Sequence, residues 1–278
     1  MLDSVHDQAQ ELGAELLAVD GHGAGLPADL EQRYPHVIPI RMPGASIFQM
    51  RAAAIRQASG DIVAITEDHC RVAPDWVRRI LEAHEEYPDA AAIGGVVENG
   101  SQDSLLDWAH FFAANGDAMG PVRRGPHSKV ALQACVSYKR DILPRTFPRY
   151  GYMEWMLNAS LQKQGKQLVA DDRIRVDHVQ SFSLKDACAI HFHDSRGIAA
   201  FRSKRIGWPE RALRLGVALT VMTPLLVLRS VRPLISKRRY LGKLVPCLPY
   251  FLLLAACRSA GAVVGFVAGA GESPQKIR

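Results

Sequence analysis

The sequence predicts an α/β fold: a doubly wound, mixed but mostly parallel sheet covered by helices on both faces, with an apolar helical hairpin at the carboxyl end. Three observations carry this. Short apolar runs of strand length alternate with segments of helical period, the pattern of βα units. The triplet Glu67-Asp68-His69 directly follows one of those runs, at the strand end where open α/β sheets gather their ligands. Beyond residue 205 the chain turns to long uncharged stretches, which sets an expected boundary between a domain at 1–205 and a membrane-associated hairpin at 206–278.

Leu2, Val5, Ala9 and Leu12 recur at helical spacing, and Gly13 closes that run. Residues 15–19 then read as a short buried strand ending at Asp20-Gly21. A loop rich in Gly and Pro leads to a strand at 37–40, a helix at about 46–58 and an apolar strand at 61–65. Pro74 and Asp75 suit the first turn of the next helix, whose stripe is Trp76, Val77, Ile80 and Leu81. Residues 90–97, "AAAIGGVV", form another buried strand, and 103–114 a helix carrying Leu105, Trp108 and Phe112. Residues 115–128 read as a loop, either a mobile cover or an ordinary solvated connection. A strand at 129–136, a helix at 152–164 closed by Gly165, and short strands at 167–170 and 174–176 complete the domain.

In the tail, Leu215 to Leu228 holds no charge, and Leu244 to Gly271 holds only Arg258 as an ionised group, with a basic linker between them. A full crossing takes about 20 apolar residues, which the first run lacks. Two crossings from a cytoplasmic domain would also place the basic linker outside, against the positive-inside tendency. A hairpin in the cytoplasmic leaflet satisfies both facts. The alternative is a helical hairpin buried in a soluble core.

Net charge is +6 and the pI about 9.2. The basic residues thicken after residue 196, around the tail, and form no stripe interleaved with aromatics. That distribution suits anionic lipid or phosphate and argues against a nucleic-acid partner. Five cysteines without a C-x-x-C signal neither a structural zinc site nor a disulfide scaffold, and fit a reducing compartment. No secretory signal is read at the amino end.

An acid and an imidazole two apart in a tight turn can aim at one cation, and a departing diphosphate needs such an ion. Glu67 and His69 are therefore candidate metal ligands, with oxygen and nitrogen donors that suit manganese better than magnesium. The alternative is an acid and histidine cluster on a solvated loop. Glu154 stands in the first turn of a helix, about a quarter turn from its apolar stripe, and is expected to border a cleft without being buried.

The run "RAAAIRQASGDIVAITEDHCRVAPDWVRRILEAH", residues 51–84, resembles family-2 glycosyltransferases of the inverting, Rossmann-like GT-A fold. Such enzymes place a helix, Ala-x-Gly, an apolar strand, D-x-D and a Pro-x-Trp helix start in this order. Glu67-Asp68-His69 stands where D-x-D is usual. "LLAVDG" with Asp20, "CVSYKRDIL" and "YGYMEWMLNASLQKQGKQLVADDRIRVDH" extend the resemblance to about residue 205. It implies a divalent metal, Mn or Mg, on Glu67, His69 and His178, and a nucleotide sugar touched by Asp20, Arg51 and Asp68. It also implies Glu154 as the base that takes the acceptor proton, with Met153 on the family's glutamate and Cys135 on its asparagine.

The implied acceptor is a hydroxyl of a lipid-linked or polysaccharide substrate at the cytoplasmic face of a membrane. Family members open with an apolar strand that helps hold the nucleotide. Here the chain opens in the following helix, so a start codon further upstream is expected. A catalytically inactive binding or scaffold protein of the same fold is the rival reading. His191, His193, Arg196 and Arg202 are read either as phosphate ligands or as helix-surface charge.

Overall fold

The computed structural model describes residues 1–22, 28–126 and 134–277. Two compact units emerge, Met1–Gly100 with Ala118–Val179, and Ser101–Asp117 with Gln180–Arg278. The first unit begins with helix α1 (Leu2–Glu11), strand β1 (Leu16–Asp20), helix α2 (Ala28–Arg33) and strand β2 (Val37–Arg41). β1 and β2 pair in parallel as a two-stranded sheet, with Asp20 opposite Arg41. Helix α3 (Ile47–Gln57) starts in a capping box between Ser46 and Gln49, which satisfies two otherwise orphaned donors. It buries Phe48, Arg51, Ala52 and Ile55 along one face.

Strand β3 (Ile62–Ile65), strand β4 (Cys70–Val72), helix α4 (Trp76–Glu86) and strand β5 (Ala90–Asn99) follow. Helix α5 (Leu105–Asn115) belongs to the second unit; the chain then returns through strands β6 (Gly125–Pro126) and β7 (Val136–Lys139), helix α6 (Glu154–Lys163) and strand β8 (Gln167–His178). A six-stranded sheet runs in the order β3-β7-β5-β8-β4, with β6 paired to β8. β5 and β8 are parallel, while β7 runs against both β3 and β5, and β4 and β6 run against β8. β3, β5 and β8 thus share one direction, as expected, while β4, β6 and β7 run the other way, none of them longer than four residues. One side of the sheet buries Ile55, Val63, Ile65, Tyr138, Tyr152 and Leu161 in a common core.

Several elements differ from expectation. β4 interrupts what reads as a direct passage from the triplet into helix. The strand expected at 129–136 is found at Val136–Lys139, with residues 127–133 outside the described ones. The two strands expected at 167–170 and 174–176 are one strand, β8, whose pairing with β5 shifts register between Gly94 and Val96.

The second unit holds α5, helix α7 (Leu184–Ser203), helix α8 (Trp208–Thr220), helix α9 (Met222–Lys237) and helix α10 (Leu241–Ala268). The expected boundary at 205 falls inside this unit, because α7 packs along α10. Their backbones touch closely: a Cβ on Gly261 or Gly265 would collide with the carbonyl oxygens of Phe192 and Arg196. The first apolar run of the tail is split at Val221, where α8 and α9 meet at a 70° bend. α10 alone is long and apolar enough to cross a membrane among the described residues.

Candidate metal centre

β3 ends at Ile65, and the chain turns tightly enough that the Cys70 amide donates to the Glu67 carbonyl (3.0 Å). β4 then pairs with the end of β8, setting Cys70 opposite His178. The Val179 amide donates to the His69 carbonyl (2.9 Å). This pairing joins residues 109 apart in sequence: His69 Nε2 and His178 Nε2 lie 3.0 Å apart. Glu67 Oε2 completes a triangle, 3.2 Å from His69 Nε2 and 3.4 Å from His178 Nε2. Donor atoms of Glu67, His69, Cys70 and His178 all fall within 4.8 Å of one another.

That spacing tests the fit of a cation. Metal–donor bonds of about 2.1 Å place neighbouring ligands roughly 3.0–3.4 Å apart in octahedral or tetrahedral arrangements. The observed triangle has those edges. Two imidazole nitrogens and a carboxylate form a set that suits Mn2+ better than Mg2+, which prefers oxygen ligands and retained water. The residues present therefore fit a divalent metal. Cys70 is 1% exposed, and burial pushes its thiol up to about 12, so as a free thiol it is protonated. It is the member of the group that sequence reasoning missed, a single cysteine without a spacing pattern. Its adjacency to Glu67-Asp68-His69 was the available signal.

Behind Glu67 lies a buried ion-pair relay. Arg51, from α3, donates through Nη2 to Glu67 Oε1 (2.6 Å) and through Nη1 to Glu154 Oε1. Burial pushes the Glu67 carboxyl up, but hydrogen bonds from His178 and His69 and the Arg51 charge outweigh it, leaving Glu67 well below the usual carboxylate range. For Glu154 burial wins over Arg51, and its carboxyl is raised. At His69 burial acts to lower the pKa, yet Asp68 and Glu67 lift it to about 9. Asp68 itself points outward, its side chain 98% exposed, and accepts from His69 Nδ1 at 2.9 Å.

The structure thus gathers Arg51, Glu67, Asp68, His69, Glu154 and His178 into one connected group. Asp20 lies on the other sheet, at the end of β1, where it accepts from the His22 amide (2.8 Å). One geometric expectation is corrected: Glu154 does not border an open cleft but is 0% exposed. Its charge can be buried because Arg51, 103 residues away in sequence, meets it. Oε2 of Glu154 has no hydrogen-bond partner among the described residues. Arg51, expected on the nucleotide, is 9% exposed and commits a nitrogen to each carboxylate. A groove of about 980 Å³ lined by Ile62, Lys139 and Arg145 lies at the other end of β3 and contains none of these residues.

A family model described as glycosyl transferase family 2 matches residues 1–147, more than half of the chain. A glucosyl-dolichyl phosphate glucuronosyltransferase of Haloferax volcanii is 36% identical over 47 residues, covering 17% of this chain and 15% of that protein. The match therefore spans well under two thirds of that relative. The mannosyltransferase PcManGT from Pyrobaculum calidifontis, solved in complex with GDP-Man and Mn2+, aligns with a TM-score of 0.55 and 14% identity over 96% of this chain and 82% of that one. This likeness is one of fold, and it shows the expected GT-A architecture.

Proposed function

We propose that this chain, which belongs to glycosyl transferase family 2, transfers a sugar from a nucleotide-diphosphate donor to a hydroxyl of a lipid-linked or polysaccharide acceptor, with inversion, at the cytoplasmic face of a membrane. The observation that carries the reading is the triangle of Glu67, His69 and His178 at the carboxyl end of the sheet. The names of the relatives support the substrate classes: one is a complex with GDP-Man and Mn2+, the other is named for a glucosyl-dolichyl phosphate.

In this proposal Glu67, His69 and His178 hold the cation, with Cys70 Sγ beside them. When bound, the ion supplies charge that offsets the negative charge growing on the leaving diphosphate. Arg51 fixes Glu67 by taking its Oε1, which leaves Oε2 facing the two imidazoles. Asp68, exposed next to His69, and Asp20, at the end of β1, are the proposed donor contacts. Glu154 is the proposed base, through Oε2, which has no partner among the described residues, and this role requires acceptor binding to uncover it.

The Arg51 contact favours a second reading of Glu154, as a positioning residue that holds Arg51 and so Glu67. One pair of variants tests both the site and this choice. Mn2+-dependent binding of a nucleoside diphosphate, followed by calorimetry, is expected to be lost in His69→Ala; equal affinity with and without metal rejects the site. Glu154→Gln is expected to keep that binding and lose transfer if Glu154 is the base. Weakened Mn2+ binding in Glu154→Gln assigns the positioning role instead.

A further inference from the structure

The helical unit at 180–278 carries a large apolar surface with no partner among the described residues. On α10, Leu241, Val245, Leu252, Leu253 and Val267 are between 39% and 73% exposed, and they recur close to the helical period on one face. Around the α8–α9 bend, Leu213, Leu219, Leu225 and Leu228 are 54–68% exposed, and Trp208, at the start of α8, is 79% exposed. Surfaces of this size on a monomer mark an interaction site. Beside them, residues 202–243 hold Arg202, Lys204, Arg205, Arg211, Arg214, Arg229, Arg232, Lys237, Arg238, Arg239 and Lys243 against one acid, Glu210. An apolar face with a cationic margin complements an anionic lipid surface, where each nearby Lys or Arg adds attraction.

The way α10 is packed decides how it meets the lipid. α7 lies beside its second half in parallel: Phe192 faces Gly261 and Arg196 faces Gly265. Arg196 Nε also donates to the Gly269 carbonyl (2.9 Å), and His193 Nδ1 meets Ser273 Oγ (2.9 Å). The same register sets Lys185 and Asp186, both exposed, beside the middle of α10. If α10 stood upright across a bilayer it would carry these charges, with Asp194 and its partner Arg258, into the hydrocarbon, which strongly disfavours ionised groups. α8 and α9, of 13 and 16 residues, extend about 20 and 24 Å, short of a roughly 30 Å core. Their 70° bend prevents them from joining into one straight span.

We infer that this unit is a one-leaflet anchor: α10 lies along the membrane plane with its apolar face in the acyl region, the α8–α9 elbow dips beside it, and the arginines and lysines bind anionic headgroups. The inference deepens the proposed membrane association and rests on it for location, but not on the metal centre. Its test uses the full chain floated with vesicles of phosphatidylcholine, with and without phosphatidylglycerol. Binding is expected to be about tenfold tighter or more with phosphatidylglycerol, and to fall about tenfold in the pair Leu225→Glu and Leu228→Glu. Circular dichroism and Mn2+ affinity, both expected unchanged, report that this variant folds.

Depth is read by quenching with bromine-labelled lipids in Val245→Trp, Leu252→Trp and Ala260→Trp, each made with Trp208→Phe. Equal depth at the three positions supports the in-plane anchor. A deepest point at the middle of α10 means a crossing and overturns it. Failure to bind either vesicle, with the chain dimeric by light scattering, assigns the face to a second copy and also overturns it. Vesicle binding that persists in a chain unable to bind Mn2+ leaves the anchor standing and counts against the proposed transfer reaction alone.

Discussion

His69 holds its proton against its own burial because Asp68 and Glu67 bracket it, and its pKa rises to about 9. The sign of the consequence is fixed. A group raised above its unfolded value of about 6.5 contributes stability that is fully present below that value and is lost as pH climbs through about 9. The contribution is on the order of 3 kcal/mol at most. The metal-free chain should therefore melt at lower temperature as pH rises from about 7 to 9. Cation binding needs the neutral imidazole, so each ion bound displaces a proton and affinity should climb, by up to about tenfold per pH unit, until about pH 9. Mn2+ titrations followed by electron paramagnetic resonance across this range check the slope, and a flat profile removes His69 from the ligand set. Glu67 and His69 were legible because they are adjacent in sequence and follow an apolar run. His178 was indicated by resemblance, since only the β4–β8 register brings it within 3.0 Å of His69. The burial of Glu154 was not legible, because its helix period says nothing about an arginine from α3 arriving to neutralise it.

Between α3 and α6 the spacing depends on one glycine. Gly151 adopts φ +92°, and a Cβ there would strike the carbonyl of Phe48 in α3. Its neighbour Tyr152 donates from its amide to that same carbonyl (2.8 Å). The close approach brings Glu154, at the start of α6, onto Arg51, one turn further along α3. Gly151→Ala combines a left-handed backbone with a backbone collision, a cost of about 1–3 kcal/mol or more. Two effects are expected: a lower urea midpoint with unchanged slope, and weaker Mn2+ binding as Arg51 loses its hold on Glu67. Lower stability with unchanged Mn2+ affinity would separate the glycine from the site. Most elements were readable from period and caps, α6 among them from Gly165. The pairing was not: β7 enters antiparallel between β3 and β5, a choice made by tertiary contacts that no local pattern encodes. β4, three residues at a sheet edge, is too short for alternation to declare itself.

At the scale of the whole chain, the two units interleave in sequence, because α5 is encoded between halves of the first unit but packs within the second. Composition placed the change at 205, beyond which long uncharged stretches appear, and could not see that an earlier helix is claimed by the tail. α5 buries Leu106, Trp108, Phe111 and Phe112, and its neighbours are α9 and α10. A chain ended after Val179 keeps α5 and loses both. Three aromatic side chains bury about 150–250 Å² each, so their exposure creates a patch at or above the largest that soluble monomers usually carry. Such a chain is expected to elute from gel filtration as aggregate, as is one ended at residue 205. Replacing residues 101–117 by a short Gly/Ser linker in the Val179-ended chain removes the orphaned helix and should restore a monomer. That monomer keeps Glu67, His69, Cys70 and His178, and so should bind Mn2+ with the affinity of the full chain. Should the Val179-ended chain with α5 intact prove monomeric, α5 does not depend on α9 and α10, and the two-unit division is wrong. Because the linker variant retains Arg51 and Glu154 as well, any loss of Mn2+ affinity in it would instead trace a dependence of the metal centre on the helical unit.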